Sequence, residues 1–327
     1  MKPYLRASWP AAAVVTATLL AIFLWPKPAP PACMLPPQAA NAPHPGMVWV
    51  PAGRFEFGDT VYPEEQPIRS TSVDGFWIDR TEVSNDQFAQ FVAATGYVTV
   101  AEQPVDTRAH PNLPPAMRQS GAVVFRMPEK IDGRDDLRQW WSYLPGANWR
   151  HPGGPDTNIA GHGAYPVVAV TIADARAYAA WKGHMLPSEA QWEWAARGAR
   201  PQAAPEHEQP KEANTWQGPF PLINTAEDGY LGLAPVACFK PNALGLFDMI
   251  GNVWEITADV FVSGHAAPDQ MPRMIAGDGV QHVIKGGSYL CAPNYCMRYR
   301  AGAREAQDDD LAASHLGFRT ILAAPGP

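Results

Sequence analysis

Cysteine is scarce in this chain. Four thiols in 327 residues, Cys33, Cys238, Cys291 and Cys296, are too few and too unevenly spread for a disulfide-framed fold. Cys33 lies in a Pro/Ala-rich stretch and Cys238 stands alone, so only Cys291 and Cys296 form a local pair. Positive charge is also in deficit. Lys and Arg number 25 against 32 Asp and Glu, a formal net charge of -7, and no basic stripe offsets it, which argues against a nucleic-acid binder. No segment recurs at a fixed period, so repeat arrays are excluded. Beyond residue 199 no helical pattern stands out, which leaves short strands and turns for the C-terminal part.

What the chain does have is tryptophan, 12 of them, with 35 prolines and 27 glycines outside any repeat. That combination predicts irregular backbone around an aromatic core. The length allows one large domain or two modest ones. At the N-terminus, Lys2 and Arg6 precede the apolar run WPAAAVVTATLLAIFLW, Trp9 to Trp25. Roughly 17 residues at about 1.5 Å each are near the minimum for a membrane span. Positive residues before the run place the N-terminus in the cytoplasm and the remainder outside. The expectation is an anchor over 1–26, a Pro/Ala-rich linker over 27–45 and one domain over 46–327, membrane-anchored and exported to the periplasmic or extracytoplasmic side. Cleavage near Ala40 or Ala42 is the rival reading, and either way the domain faces an oxidising compartment.

Met47-Val-Trp-Val-Pro51, Arg54 to Gly58 and Gly75 to Asp79 carry the alternation of short strands. Ser84 caps a helix with Phe88, Phe91 and Val92 on its apolar face, ending at Gly96. Residues 101–140 are polar and read as a long loop, with one strand-like patch at 123–125. Thr171 with Asp174, and Ser188 with Gln191, are capping boxes opening helices that stop at Gly183 and near Gly198. The cluster Trp140, Trp141 and Trp149 is core or a groove wall.

Chemistry concentrates in KGGSYLCAPNYCMRYR, Lys285 to Arg300. Two thiols five positions apart with Pro293 between them can converge. As soft thiolates they suit Cu(I) better than tetrahedral zinc, which needs two further ligands. Arg298, Arg300 and Arg304 would favour the thiolate forms. A structural disulfide between the two cysteines, or a thiol–disulfide exchange site, accounts for the same spacing. A second grouping, DMIGNVWE from Asp248 to Glu255, sets carboxylates at both ends of a Gly-containing turn. Asn214 to Gly218 and Glu227 to Tyr230 offer further oxygens. Oxygen donors of this kind suit Ca2+, and equally serve as plain turn formers.

Taken in order, MVWVPAG, GFWIDRTEVSNDQFAQFV, YPVVAVTIADARAYAAWKG, LPSEAQWEWAARG, NALGLFDMIGNVWE, KGGSYLC, YCMRYR and LGFR closely resemble the sulfatase-modifying-factor domain of the formylglycine-generating enzymes, from about Met47 to Leu322. GANWRHPGGP, Gly146 to Pro155, resembles a segment of the aerobic members. The H-x-x-x-H-x-E signature of the related sulfoxide synthases is missing. The resemblance implies an irregular, loop-rich α+β fold related to C-type lectin folds, here with an N-terminal transmembrane helix.

It also implies a copper-dependent oxidase that converts a peptidyl cysteine, in a C-x-P-x-R motif of an unfolded or extended sulfatase-type polypeptide, to formylglycine with O2. Cys291 and Cys296 would hold Cu(I), with the substrate cysteine as a third sulfur ligand. Loss of a hydrogen from the substrate Cβ and hydrolysis of the thioaldehyde would complete the conversion. Ser288 would orient oxygen or water, and Trp254 and Arg300 would contact substrate. His315 replaces an Asn of the family's groove, which puts peptide preference in question. Two structural Ca2+ sites carry over: Asn214, Thr215, Asp228 and Tyr230 for one, and Asp248, Met249, Gly251, Val253 and Glu255 for the other. Expected partners are the substrate polypeptide and the membrane, without nucleic acid. The vertebrate disulfides have no counterpart, since Ala301 and Thr320 stand at two of those positions. Two alternatives remain: an exported member with another substrate, of the pyoverdine-maturation kind, and a non-catalytic binding module with a Cys291–Cys296 disulfide.

Overall fold

The alternation at the start of the domain forms β1 (Met47–Val50) and β2 (Gly53–Phe57) in a computed structural model describing residues 33, 35–38, 41–105, 107, 111–133, 136–201, 208–265, 279–323 and 325. β2 pairs antiparallel with β3 (Arg69–Val73) and buries Phe55 and Phe57 while Arg54 and Glu56 face water, as a half-buried strand requires. β4 (Phe76–Asp79) pairs antiparallel with β1, in the register Trp49 opposite Trp77.

The helices follow their caps. α1 (Asn85–Thr95) begins where the Ser84 hydroxyl accepts the Gln87 amide and the Gln87 side chain accepts the Ser84 amide. It ends at Gly96, whose φ of +69° is the left-handed conformation that glycine adopts without strain. Phe88 and Phe91 point into the core. The polar stretch after it is not all loop: β5 (Gly121–Phe125) pairs antiparallel with β6 (Trp141–Pro145), a partner that the sequence hides inside its Trp cluster. α2 (Ile172–Lys182) has the expected Thr171–Asp174 box and Gly183 stop, and α3 (Glu189–Ala196) the expected Ser188–Gln191 box. Arg197 caps α3, one residue before the expected stop at Gly198.

The C-terminal part supplies β7 (Trp254–Val260), β8 (Gln281–Lys285), β9 (Arg304–Asp308), β10 (Leu316–Gly317) and β11 (Ile321–Leu322). Four of them form a sheet in the order β10-β7-β8-β9, and β11 returns to pair with β4 beside β1. One apolar cluster joins Phe88, Phe91, Trp149, Tyr178, Trp254 and Phe318 and takes in Cys291; another joins Phe55, Phe57, Trp192 and Trp194. Each such ring withdrawn from water contributes about 1.5–3 kcal/mol, so the aromatic excess of the sequence is spent on the core.

Two expectations are corrected at the N-terminus. The apolar run Trp9 to Trp25 lies outside the described residues, and among the described residues no helix is long and apolar enough to cross a membrane. The described residues form an irregular α+β fold with no transmembrane helix among them, so no described helix supports the membrane partner, the anchoring or the location expected from that run. The compact unit starts at Cys33. Cys33 is disulfide-bonded to Cys238, and residues after it are stitched down as well. Gln38 donates to the carbonyl of Met47 and accepts from the amide of Gly46, and Arg80 donates to the carbonyl of Pro36. Spacing could not pair two cysteines 205 positions apart.

Candidate active site around two sulfur atoms

β8 ends at Lys285, and the next two residues turn the chain sharply. Gly286 and Gly287 have φ of +92° and +75°. A Cβ on Gly286 would stand 2.9 Å from the carbonyl oxygen of Met249 and 3.0 Å from the Trp192 ring. On Gly287 it would stand 2.8 Å from the carbonyl oxygen of Arg298 and 3.2 Å from Cys291 Sγ. Only glycine allows both the conformation and the closeness. The turn delivers Ser288, whose backbone N–H donates to Cys291 Sγ at 3.5 Å while its carbonyl accepts the Cys291 amide. Ser288 is buried, and its hydroxyl oxygen accepts the Leu290 amide.

Cys291 and Cys296 are free thiols whose sulfurs lie 2.8 Å apart. The structure therefore brings together the pair singled out by spacing, as a hydrogen-bonded thiol pair. Their surroundings differ. Cys291 is 1 % exposed, whereas Cys296 is partly exposed and follows the exposed residues Pro293, Asn294 and Tyr295. Burial pushes the Cys291 thiol well up, helped by the hydrogen bond to Cys296 and by that neighbour's charge. The same hydrogen bond brings Cys296 below its ordinary value against burial, aided by the Arg298 backbone N–H and the Arg298 charge. The two shifts run in opposite directions, so Cys296 is the sulfur that gives up its proton first and Cys291 the one that keeps it.

Of the three arginines expected to act on the thiols, Arg298 alone acts on both sulfurs. Arg300 is buried with its guanidinium against Asp59 and Glu65, and Arg304 is bound to Glu189. Trp254 is buried at the start of β7, its amide bonded to the His315 carbonyl at 2.9 Å. The His315 ring lies 4.7 Å from that of Trp141, and burial pushes its imidazolium down to about 4, so it is neutral at pH 7. An aromatic wall adjoins the pair: Tyr295 stacks on Phe220 at 4.1 Å and meets Trp140 edge-on at 6.0 Å. An open cavity of about 850 Å³ beside Asp59, Arg197 and Arg300 has neither cysteine in its lining, so the sulfurs rather than the cavity mark the site.

The sulfurs fit a soft metal by donor chemistry. At 2.8 Å they stand closer than two ligands on either side of one ion, with metal–sulfur bonds of about 2.3 Å, so binding requires them to part. The broader expectation of metal-binding clusters is corrected. Among the described residues there is no group of three or more His, Cys, Asp or Glu side chains able to hold a metal ion. In the first oxygen set, Asp228 accepts the amides of Thr215 at 3.2 Å and Tyr230 at 3.0 Å, so three of its four residues are drawn together. The Asn214 side chain instead donates to Gly232 and Asn252. The second set does not fit as expected. Both Glu255 oxygens are taken by Arg319 at 2.6 Å, and one also by the Trp192 indole N–H at 2.7 Å. Asp248 accepts the Ala237 amide. Met249, Gly251 and Val253 lie in the turn between, where a Cβ on Gly251 would strike the Asn214 carbonyl. Sequence reasoning missed these internal ion pairs, because a carboxylate's partner sits far away in the chain.

The sequence model of the family described as the sulfatase-modifying factor enzyme 1-like domain matches residues 33–324. The chain is 46% identical over 290 residues to the formylglycine-generating enzyme of Mycobacterium tuberculosis, covering 84% of this chain and 97% of that protein. It is 37% identical over 291 residues to the inactive C-alpha-formylglycine-generating enzyme 2 of Bos taurus, covering 86% and 89%. Among solved structures, that of PvdO from Pseudomonas aeruginosa superposes with a TM-score of 0.56 at 23% identity over 84% of this chain and 93% of that one, which speaks for the fold alone. With a family match spanning nearly all the described residues, this chain belongs to the sulfatase-modifying factor, or formylglycine-generating enzyme, family.

Proposed function

We infer that the protein is an oxidoreductase of the formylglycine-generating type, converting a peptidyl cysteine to formylglycine with O2. The observation that carries the reading is the free, converging sulfur pair at the end of a double-glycine turn. An inactive relative shares the fold, so the fold by itself does not carry the activity.

Within this reading Cys291 and Cys296 would hold Cu(I), which when bound would supply the oxygen activation that thiols alone lack. The protein's own contributions are placement and protection. Cys291 is fixed in the core and Cys296 is the more exposed of the two, so a substrate sulfur approaches from the Cys296 side. Ser288, on the turn between β8 and Cys291, orients oxygen or water. The apolar wall of Trp140, Phe220 and Tyr295 keeps bulk water from the sulfurs and gives an extended peptide a surface to lie on. Trp254 packs in the same core cluster as Cys291, and Arg300 fixes the chain after Cys296 through Asp59 and Glu65. Neutral His315 beside Trp141 offers a ring face and nitrogens without charge, so it tunes peptide preference by shape and hydrogen bonding. Ca2+ at the loops of Asn214, Thr215, Asp228 and Tyr230 would be structural and takes no part in the reaction. The substrate class is a sulfatase-type polypeptide presented extended around C-x-P-x-R.

The test is incubation of the protein with Cu(I), O2, a thiol reductant and a C-x-P-x-R peptide, read by mass spectrometry. Conversion of the peptide cysteine to the aldehyde is expected, and its loss in Cys291→Ser and Cys296→Ser. Wild type that binds one Cu(I) yet leaves the peptide unchanged would remove C-x-P-x-R as substrate; wild type that binds none would remove the copper reading.

A further inference from the structure

The short 3-10 turn Pro63–Glu65 carries no chemical motif, yet with Tyr62 it grips the chain immediately after Cys296. The Tyr62 hydroxyl oxygen accepts the N–H of Met297 at 3.3 Å. The Arg298 guanidinium lies over the Tyr62 ring, 4.2 Å from its centroid, and that of Arg300 lies 5.7 Å from it. Glu64 pairs with Arg298, and Glu65 with Arg300. From the other side Glu305 of β9 pairs with Arg298 at 3.2 Å. Arg298, so held, lies two residues beyond Cys296 and anchors the backbone that carries it.

The two sulfurs are therefore fixed by different means. Cys291 is packed into the core, with the Ser288 amide on its sulfur. Cys296 follows three exposed residues, is only partly buried at the edge of the same cluster, and is held by its amide on the Ala292 carbonyl at 3.0 Å and by the segment behind it. A ring beneath a guanidinium and carboxylates on two of its nitrogens leave Arg298 little rotational freedom, and its amide moves with its side chain. We propose that Tyr62 and Arg298 are positioning residues of the sulfur pair, a clamp that holds Cys296 toward Cys291 and so sets how tightly the pair grips Cu(I). The affinity part of this inference rests on the copper reading above; the positioning part does not. Outer partners of this kind typically govern about 10–100-fold in metal affinity.

Two measurements on the full chain test it. The first is Cu(I) affinity, by competition with bicinchoninate, for wild type, Tyr62→Ala, Tyr62→Phe and Arg298→Lys, each also in a Cys296→Ser background. About a tenfold loss is expected for Tyr62→Ala and Arg298→Lys when Cys296 is present, and less than about twofold when it is not. Tyr62→Phe keeps the ring but not the acceptor and should lose about threefold, which preserves the test if the alanine variant does not fold. The second needs no metal. In glutathione buffers two thiols and one oxidised glutathione exchange to one protein disulfide and two reduced glutathiones, and alkylation with peptide mass spectrometry reports the Cys291–Cys296 fraction. Freeing Cys296 lowers the effective concentration of one thiol at the other, so the equilibrium constant should fall about fivefold or more in Tyr62→Ala. Losses that are equal with and without Cys296, or a folded Tyr62→Phe and Arg298→Lys that change neither measurement, overturn the clamp. If wild type binds no Cu(I), the copper reading fails and the glutathione equilibrium alone decides the clamp.

Discussion

Lys285 Nζ lies 3.0 Å from Glu193 Oε2, and solvent reaches neither side chain. Glu193 stands on α3 and Lys285 is the last residue of β8, so this ion pair bolts the helix to the strand that ends in the Gly286–Gly287 turn. Glu189, one helical turn earlier, reaches the same Nζ at 3.4 Å and also binds Arg304. Removing one member of such a group leaves buried charge without compensation, which costs more than the intact pair contributes. Lys285→Ala should destabilise the protein by about 3–5 kcal/mol, seen as a lower melting temperature in calorimetry. A loss below about 1 kcal/mol would show that water already reaches the site.

The same group sets the response to acid. Burial would raise the Glu189 carboxyl, but Lys285, His265 and Arg304 outweigh it and hold the group down to about 2. A folded pKa below the ordinary value near 4.5 means that the ionised form stabilises the fold. That contribution is complete above about pH 4.5 and is lost as pH falls toward 2, amounting to about 3 kcal/mol. Glu189→Gln should therefore be less stable at pH 7, and its disadvantage should shrink between pH 4.5 and 2. Urea unfolding midpoints of both proteins across that range check the sign. A difference that stays constant with pH would contradict it.

Much of the scaffold was legible because its signals are local. Ser84, Thr171 with Asp174 and Ser188 with Gln191 marked helix starts, and each cap forms where it was expected, Ser84 gaining Gln87 as a partner beyond the expected cap. Cys291 and Cys296 were legible for the same reason, being five residues apart. What stayed hidden depends on long loops closing. The pairing of β5 with β6, the grip of Tyr62 on Met297, Glu255 bound to Arg319 and the Cys33–Cys238 bond all join residues that no period or spacing connects. Glu255 also shows how a motif misleads: its carboxylate reads as an oxygen ligand in sequence, and the fold commits both oxygens to a buried arginine.

Gly287 tests the double-glycine turn. At φ +75° an alanine costs about 1–2 kcal/mol of backbone strain, and its Cβ would press on the Arg298 carbonyl and on Cys291 Sγ at once. The sulfurs would have to separate or the Arg298 segment retreat. Misplacement of about 1 Å at a reacting centre is worth about a hundredfold in rate. Gly287→Ala should accordingly lose about a hundredfold in peptide conversion while losing only a few degrees in melting temperature. Gly96→Ala has the same kind of left-handed φ but nothing within 4 Å of the added carbon, so it should pay the strain and keep the rate.

The Cys33–Cys238 bond makes the last prediction. It closes a loop across 205 positions, and its sulfurs sit beside the Tyr230 hydroxyl, at 3.4 Å from Cys33 and 3.3 Å from Cys238. Cross-linking residues so far apart restricts the unfolded chain, an effect worth about 2–5 kcal/mol. Cys33→Ser should therefore lower the melting temperature by about 4–10 °C. Dithiothreitol should lower that of wild type toward the same value and leave the variant where it is. Conversion of the C-x-P-x-R peptide should stay within about twofold, because the Cys291–Cys296 pair is built from other elements of the fold and neither cysteine takes part in this disulfide. Loss of activity in step with stability would mean that the arm after Cys33 reaches the sulfur pair through the 230–248 loops. An unchanged melting temperature would mean that the contacts of Gln38 with Met47 and of Arg80 with Pro36 hold the arm without the bond.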